Sequence, residues 1–127
     1  MPQNRPVNIN LLKIKLPLSA FLSITHRISG ILIFFIVIPV SVFIFSELTQ
    51  NQDSFDNFMI TYHTNLGIKY GCIGLILIFQ YHIFTGVRHI LTDFHILNES
   101  LSSSYKSAVI TLALFAINAL LTIWVML

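Results

Sequence analysis

The stretch Ile28–Ser46, ISGILIFFIVIPVSVFIFS, lies between Arg27 and Glu47 and carries no charged side chain. Its length of about 19 residues matches the ~20 that a helix needs to cross ~30 Å of hydrocarbon at ~1.5 Å per residue. Reading outward, two further stretches have the same property. One of about 18 residues separates Lys69 from Arg88, and one of about 21 follows Lys106. Charged residues make up 9% of the chain against 55% hydrophobic. A soluble domain carries about 25% charged residues, so this chain cannot clothe a water-facing surface. The mean hydropathy of +0.81 agrees.

The predicted fold class is therefore all-α, an integral membrane protein with three transmembrane helices in a single membrane-anchor domain, residues 1–127. An entry segment, 1–17, precedes helices expected at 18–47, 62–97 and 104–127. In the entry segment Lys13 and Lys15 alternate with Leu12, Ile14 and Leu16, a pattern that can lie in the headgroup region. Pro17 suits a helix start, because its missing N–H costs nothing in a first turn. The polar, acidic TQNQDSFDNF stretch reads as an external loop and NESLSSS as a second loop, with Ser104 as the expected N-cap of the last helix. The first span follows basic residues, yet it exceeds a signal h-region of about 7–15 residues and no small-x-small cleavage site follows it, so it is expected to stay in the mature protein. Cys72, the single cysteine, falls within an apolar run and reads as a buried thiol. The net charge of +2 gives no case for nucleic acid as a partner.

Orientation follows from the basic residues. Arg5, Lys13, Lys15, Arg27, Arg88 and Lys106 fall on one side, and the opposite loop has Glu47, Asp53 and Asp56. The positive-inside rule puts the N-terminus in the cytoplasm and the C-terminus outside. Lys69 is the exception, near the outer end of the second span, where its stem can snorkel to the headgroups.

Two polar constellations meet at the cytoplasmic side. The first span opens with Ser23, His26, Arg27 and Gly30; Ser23 and Arg27 share one helical face, and His26 and Gly30 the adjoining stripe. The second closes with His82, Gly86, His89 and Asp93 along one stripe, with Arg88 beside it on the stripe of Tyr81 and Thr85. Because the two spans run in opposite directions, Ser23, His26 and Arg27 are expected at the depth of Arg88, His89 and Asp93. Each group also has an ordinary role open to it. Arg27, Arg88 and Asp93 can be boundary residues reaching for headgroups, Gly30 and Gly86 mark close helix packing, and His82 can be a hydrogen-bonded packing residue. Together on two helices the polar groups point to a site. His82 is expected deeper, ~16 Å inward of Asp93 by the helical rise, where a neutral imidazole suits a haem iron. His26 is expected to be too shallow for a second axial ligand and His63 too far along the chain, so that a six-coordinate haem needs a ligand from another chain.

The chain opens with RPVN at Arg5–Asn8, reads SITHRISG at Ser23–Gly30, and YHIFTGVRHILTDF at Tyr81–Phe94. In this it resembles the cytochrome b membrane-anchor subunits of succinate dehydrogenase, the larger of the two small anchors. The family pattern is a serine followed by HR-x-[ST]-G, then H-x-x-x-G-x-R-H-x-x-x-D, and every one of those positions is filled. RPVN is similar to the bacterial form, since mitochondrial members tend to read RPLSPH. Thr25 stands where many members carry an apolar residue, with no expected consequence.

The resemblance implies a heterodimeric, haem-binding bundle. His82 matches the axial ligand of haem b. Ser23 and Arg27 match residues lining the ubiquinone site, and His26, Arg27 and His89 match positions near the haem propionates. Asp93 matches an acid of the motif and is a candidate for the proton route. The implied partners are a second small membrane-anchor subunit, an iron–sulfur subunit and a flavoprotein subunit, in a bacterial inner membrane with the C-terminus periplasmic. The chemistry agrees, because quinone reduction takes two electrons and two protons, and needs donors to the carbonyl oxygens and a cation for the charge that develops. The chain has no flavin-type glycine motif or cysteine cluster, so it is expected to transfer electrons within a complex and not to oxidise succinate alone. A fumarate reductase anchor using menaquinone, a transport subunit and a structural anchor without haem are the competing readings.

Overall fold

The computed structural model describes residues 16–97 and 100–127. The Arg5–Asn8 opening, most of the expected entry segment with Lys13 and Lys15, and Asn98 and Glu99 of the expected second loop lie outside the described residues.

The described chain is helical: α1 Leu18–Gln50, α2 Gln52–Thr64, α3 Leu66–Asp93 and α4 Leu101–Met126. By length and composition α1, α3 and α4 can each cross a membrane. The first part of α1 packs on both α3 and α4, and α2 folds back against the distal half of α1 and the start of α3. Pro17, in extended conformation, opens α1 by accepting from the N–H groups of Ala20 and Phe21 at 3.0 and 3.1 Å. Midway, Ile33–Val37 forms a π turn, in which the Ile38 N–H reaches back to the Ile33 carbonyl. Pro39 accounts for it. Its ring has no N–H to give and would crowd the Phe35 carbonyl in a regular α turn, which a wider turn just before it relieves.

The boundaries differ from those expected at 18–47, 62–97 and 104–127. The polar stretch read as a loop is largely helix α2. Asn51, in extended backbone, caps it by accepting from Ser54 N at 2.8 Å, and Asp53 sits in the first turn where the helix dipole favours an anion. Asn65 then breaks the chain out of helix and its Oδ1 accepts from Gly67 N at 2.9 Å and Ile68 N at 3.3 Å, so α3 starts at Leu66 and not near Tyr62. At the other end, His95 takes φ 55. Its N–H reaches the Thr92 carbonyl at 2.9 Å and the Ile96 N–H the Leu91 carbonyl at 3.0 Å. This is the Schellman pattern, and it stops α3 at Asp93, short of Leu97. Ser100, not Ser104, caps α4 by accepting from Ser103 N at 3.3 Å. That puts Ser104 inside the helix.

The buried set is small: Leu22, Val37, Ile73 and Ala108, with the polar Ser29, Thr85, Arg88 and Thr111. The outer surface carries Phe34, Phe35, Phe45, Leu120 and Trp124, each roughly two-thirds or more exposed. Such a surface suits lipid, which removes the hydrophobic drive between helices and leaves packing and hydrogen bonds to hold them. The bonds are present. Gln80 Nε2 donates to Thr122 Oγ1 at 2.8 Å. At the distal end Tyr62 Oη donates to the Met126 carbonyl at 3.0 Å and Lys69 Nζ to the Leu127 carbonyl at 2.7 Å. Lys69 thus places its charge at the negative end of the α4 dipole.

Candidate functional site

α1 and α3 run antiparallel, and each carries a histidine followed four residues later by a glycine: His26 and Gly30, His82 and Gly86. The two pairs interlock. A Cβ on Gly30 would lie 3.3 Å from His82 Cε1, and one on Gly86 would lie 3.1 Å from His26 Nε2. Each glycine is the recess into which the other helix's imidazole fits, which is what lets the two backbones approach. The rings of His26 and His82 stack at 4.2 Å between centroids, 14° from parallel. His89 stands on the far side of His26 at 5.0 Å and 41°.

This arrangement revises one expectation. His26 does meet His89, as its depth required, but it also touches His82. Gly86, opposite His26, is only four residues from His82, ~6 Å along the axis, and two imidazole side chains close that gap. The two rings thus meet face to face, not with their nitrogens opposed.

Ser29 orients His82. Its Oγ lies 2.7 Å from the His26 carbonyl and 2.9 Å from His82 Nδ1, bridging the two helices by hydrogen bonds. With Nδ1 so engaged, Nε2 is the ring nitrogen left without a hydrogen bond among the described residues. A second hydroxyl also bridges the helices: Thr25 Oγ1, which lies 2.9 Å from the Phe21 carbonyl, hydrogen-bonds to the Tyr81 hydroxyl. Thr85, almost fully buried, donates to the Tyr81 carbonyl at 2.7 Å.

The other expected residues divide. Ser23 is half-buried on α1 and Arg27 is exposed one helical turn further on. Asp93 is exposed at the end of α3. Arg27 and Asp93 are both near enough to act on the charge of His89, as is Arg88. Arg88 itself turns away from the histidines. It is buried against α4, with Nε donating to Ser107 Oγ at 3.2 Å and Nη2 to the Ser104 carbonyl and hydroxyl at 3.3 and 3.2 Å. It joins two helices and does not reach for headgroups.

Ser29 fills the serine-or-threonine position of the family pattern, but no role was read for it from the sequence. Thr25 was expected to have no consequence, yet it bonds to Tyr81, a pairing that only the three-dimensional approach of the helices creates.

The donor set suits haem. A ligating imidazole needs one free ring nitrogen and a hydrogen-bond partner on the other, and His82, with Ser29 Oγ at Nδ1, would fit that role. His26 and His89, with Arg27 near by, are groups of the kind that carboxylates seek.

The description "Succinate dehydrogenase/Fumarate reductase transmembrane subunit" belongs to the family that matches residues 1–123. The chain is 33% identical over 93 residues to the succinate dehydrogenase cytochrome b556 subunit of Coxiella burnetii, covering 73% of this chain and 74% of that one. It is 30% identical over 112 residues to the succinate dehydrogenase cytochrome b560 subunit of Porphyra purpurea, covering 87% and 88%. It is 35% identical over 92 residues to the corresponding subunit of Chondrus crispus, covering 72% of each. With three apolar helices long enough to span a bilayer and a match across nearly its whole length, the chain belongs to the succinate dehydrogenase/fumarate reductase transmembrane subunit family, as a multi-pass cytochrome b anchor.

Proposed function

We propose that this subunit holds haem b through His82 Nε2, together with a ligand from a second small anchor subunit, and contributes to a site where ubiquinone is reduced with electrons from succinate. The observation that carries the reading is the Ser29–His82 bond, which engages Nδ1 and leaves Nε2 as the nitrogen open to a ligand. When bound, the haem supplies a one-electron carrier inside the membrane. Ser29 would orient His82, and His26 and His89, with Arg27, would hold the propionates by charge-assisted hydrogen bonds.

Ser23 and Arg27 line the quinone site. The Ser23 hydroxyl is half-buried and, among the described residues, engages no hydrogen bond, so it is free to donate to a quinone carbonyl oxygen. Arg27 supplies the positive charge that favours electron arrival there. Asp93, exposed at the end of α3 and acting on His89, leads protons in from water. This end of the bundle faces the cytoplasm of a bacterial inner membrane, where the iron–sulfur and flavoprotein subunits dock, and the distal end with Glu47 and α2 is periplasmic. The single membrane-anchor domain is part of the same reading.

The test is Arg27→Leu in the assembled complex. Succinate-dependent quinone reduction is expected to fall at least tenfold, while succinate oxidation by a soluble acceptor that bypasses the membrane subunits is unchanged. Equal quinone turnover in the variant and the wild type would remove Arg27 from the site.

A further inference from the structure

The distal half of α1, α2 and the start of α3 line an open cleft of about 560 Å³, at the opposite end of the bundle from the histidine cluster. That volume lies within the ~300–1,000 Å³ of small-molecule sites. Its walls are mostly apolar, with Phe43, Phe58, Ile68 and Leu75 among them.

Gly71 also lines the cavity. A glycine inside a helix costs ~0.5–1 kcal/mol relative to alanine and is usually kept for a turn or a close approach. Neither applies to Gly71: no glycine has positive φ among the described residues, and a Cβ here would meet nothing within 4 Å. This contrasts with Gly30 and Gly86, which each face an imidazole. The side chain missing at Gly71 is part of the open volume. At the polar edge, Glu47 and Asn57 line the same space. Among the described residues the Glu47 carboxylate accepts only from Gln50 Nε2, at 3.2 Å, and no cation pairs with it. No basic residue lines the cavity. Asp53 and Asp56 on neighbouring α2 add negative charge that disfavours an anionic headgroup.

We propose that this cavity binds one acyl chain of an aminophospholipid, with the ammonium head at Glu47 and Asn57 and the hydrocarbon against Phe43, Phe58 and Leu75. The apolar wall selects the chain and the unpaired carboxylate selects the cationic head. The anion-repelling rim excludes glycerol-headed anionic lipids from the same place.

The test is to purify the whole complex, wash it in detergent, reload it from mixed micelles of phosphatidylethanolamine and phosphatidylglycerol, and count retained phospholipid by native mass spectrometry. The wild type is expected to retain one more phosphatidylethanolamine per copy of this chain than Gly71→Phe, whose side chain enters the cavity. Gly71→Leu gives the same comparison with a smaller intrusion, should the phenylalanine impair assembly. Glu47→Gln is expected to keep the lipid and lose the preference for phosphatidylethanolamine at least fivefold. Equal retention in the wild type and an assembled Gly71 variant would overturn the proposal. So would a wild-type preference for phosphatidylglycerol, or a quinone in place of the displaced lipid.

Discussion

Adding one methyl group at each of three glycines separates the packing in the histidine cluster from ordinary helix chemistry. In Gly86→Ala the new Cβ would stand 3.1 Å from His26 Nε2 and 3.9 Å from its Cδ2 and Cε1. Carbon contacts are most favourable at ~3.5–4.0 Å, so the imidazole must withdraw by a few tenths of an ångström. It has little room to do so, with His82 stacked at 4.2 Å and His89 at 5.0 Å. Overpacking of this kind costs about 1–3 kcal/mol, and alanine returns about 1 kcal/mol of helix propensity. The net is a loss of about 0–2 kcal/mol. Gly30→Ala, at 3.3 Å from His82 Cε1, should lose less. Gly71→Ala meets nothing within 4 Å and should gain about 1 kcal/mol. The propensity gain is common to Gly71→Ala and Gly86→Ala and cancels in their difference, leaving about 1–3 kcal/mol of packing cost. Helix content followed against SDS fraction in mixed micelles reads the order. If Gly86→Ala proves as stable as Gly71→Ala, the interlock of glycine and histidine is not what holds α1 to α3.

Two further variants probe the hydrogen bonds. Ser29→Ala removes the hydrogen-bond partner of His82 Nδ1 and should weaken haem retention by about 10–100-fold, as loss of an outer-shell partner does, measured as haem per complex after dilution and washing; undiminished retention would separate Ser29 from the ligand. Arg88→Ala strips three hydrogen bonds to Ser104 and Ser107 between α3 and α4. It should cost about 1.5–3 kcal/mol, the scale of bonds to a charged group, in the same SDS titration and without a direct effect on quinone reduction rate per assembled complex.

The three spans were legible because the gaps between charges have the length of a bilayer crossing, a constraint that acts on composition alone. The end of α3 was not, because its left-handed cap is His95 and not the glycine that usually announces one. α2 was hidden by its polarity. Phe55, Phe58, Met59 and Tyr62 nevertheless fall at helical spacing within it, and Asn51 with Asp53 forms a readable start. Pro39 pointed to an irregularity in α1, but whether it would kink the helix or widen it depends on packing. Within the site, the residue types and the shared depth of His26 and His89 were visible in the antiparallel pairing. The His26–His82 stack was not, since axial rise counts Cα positions and ignores the reach of two imidazoles toward each other. Ser29 stood in the motif, but its partner could not be read, because only the packing of α1 on α3 brings it to His82 Nδ1.

The most direct measurement is the reduced-minus-oxidised optical spectrum of the complex, co-expressed with the second small anchor, in wild type, His82→Ala and His26→Ala. A low-spin b-type band is expected in the wild type, absent in His82→Ala and present, though shifted, in His26→Ala. A band that survives His82→Ala and disappears in His26→Ala would contradict the assignment of His82 Nε2 as the iron ligand.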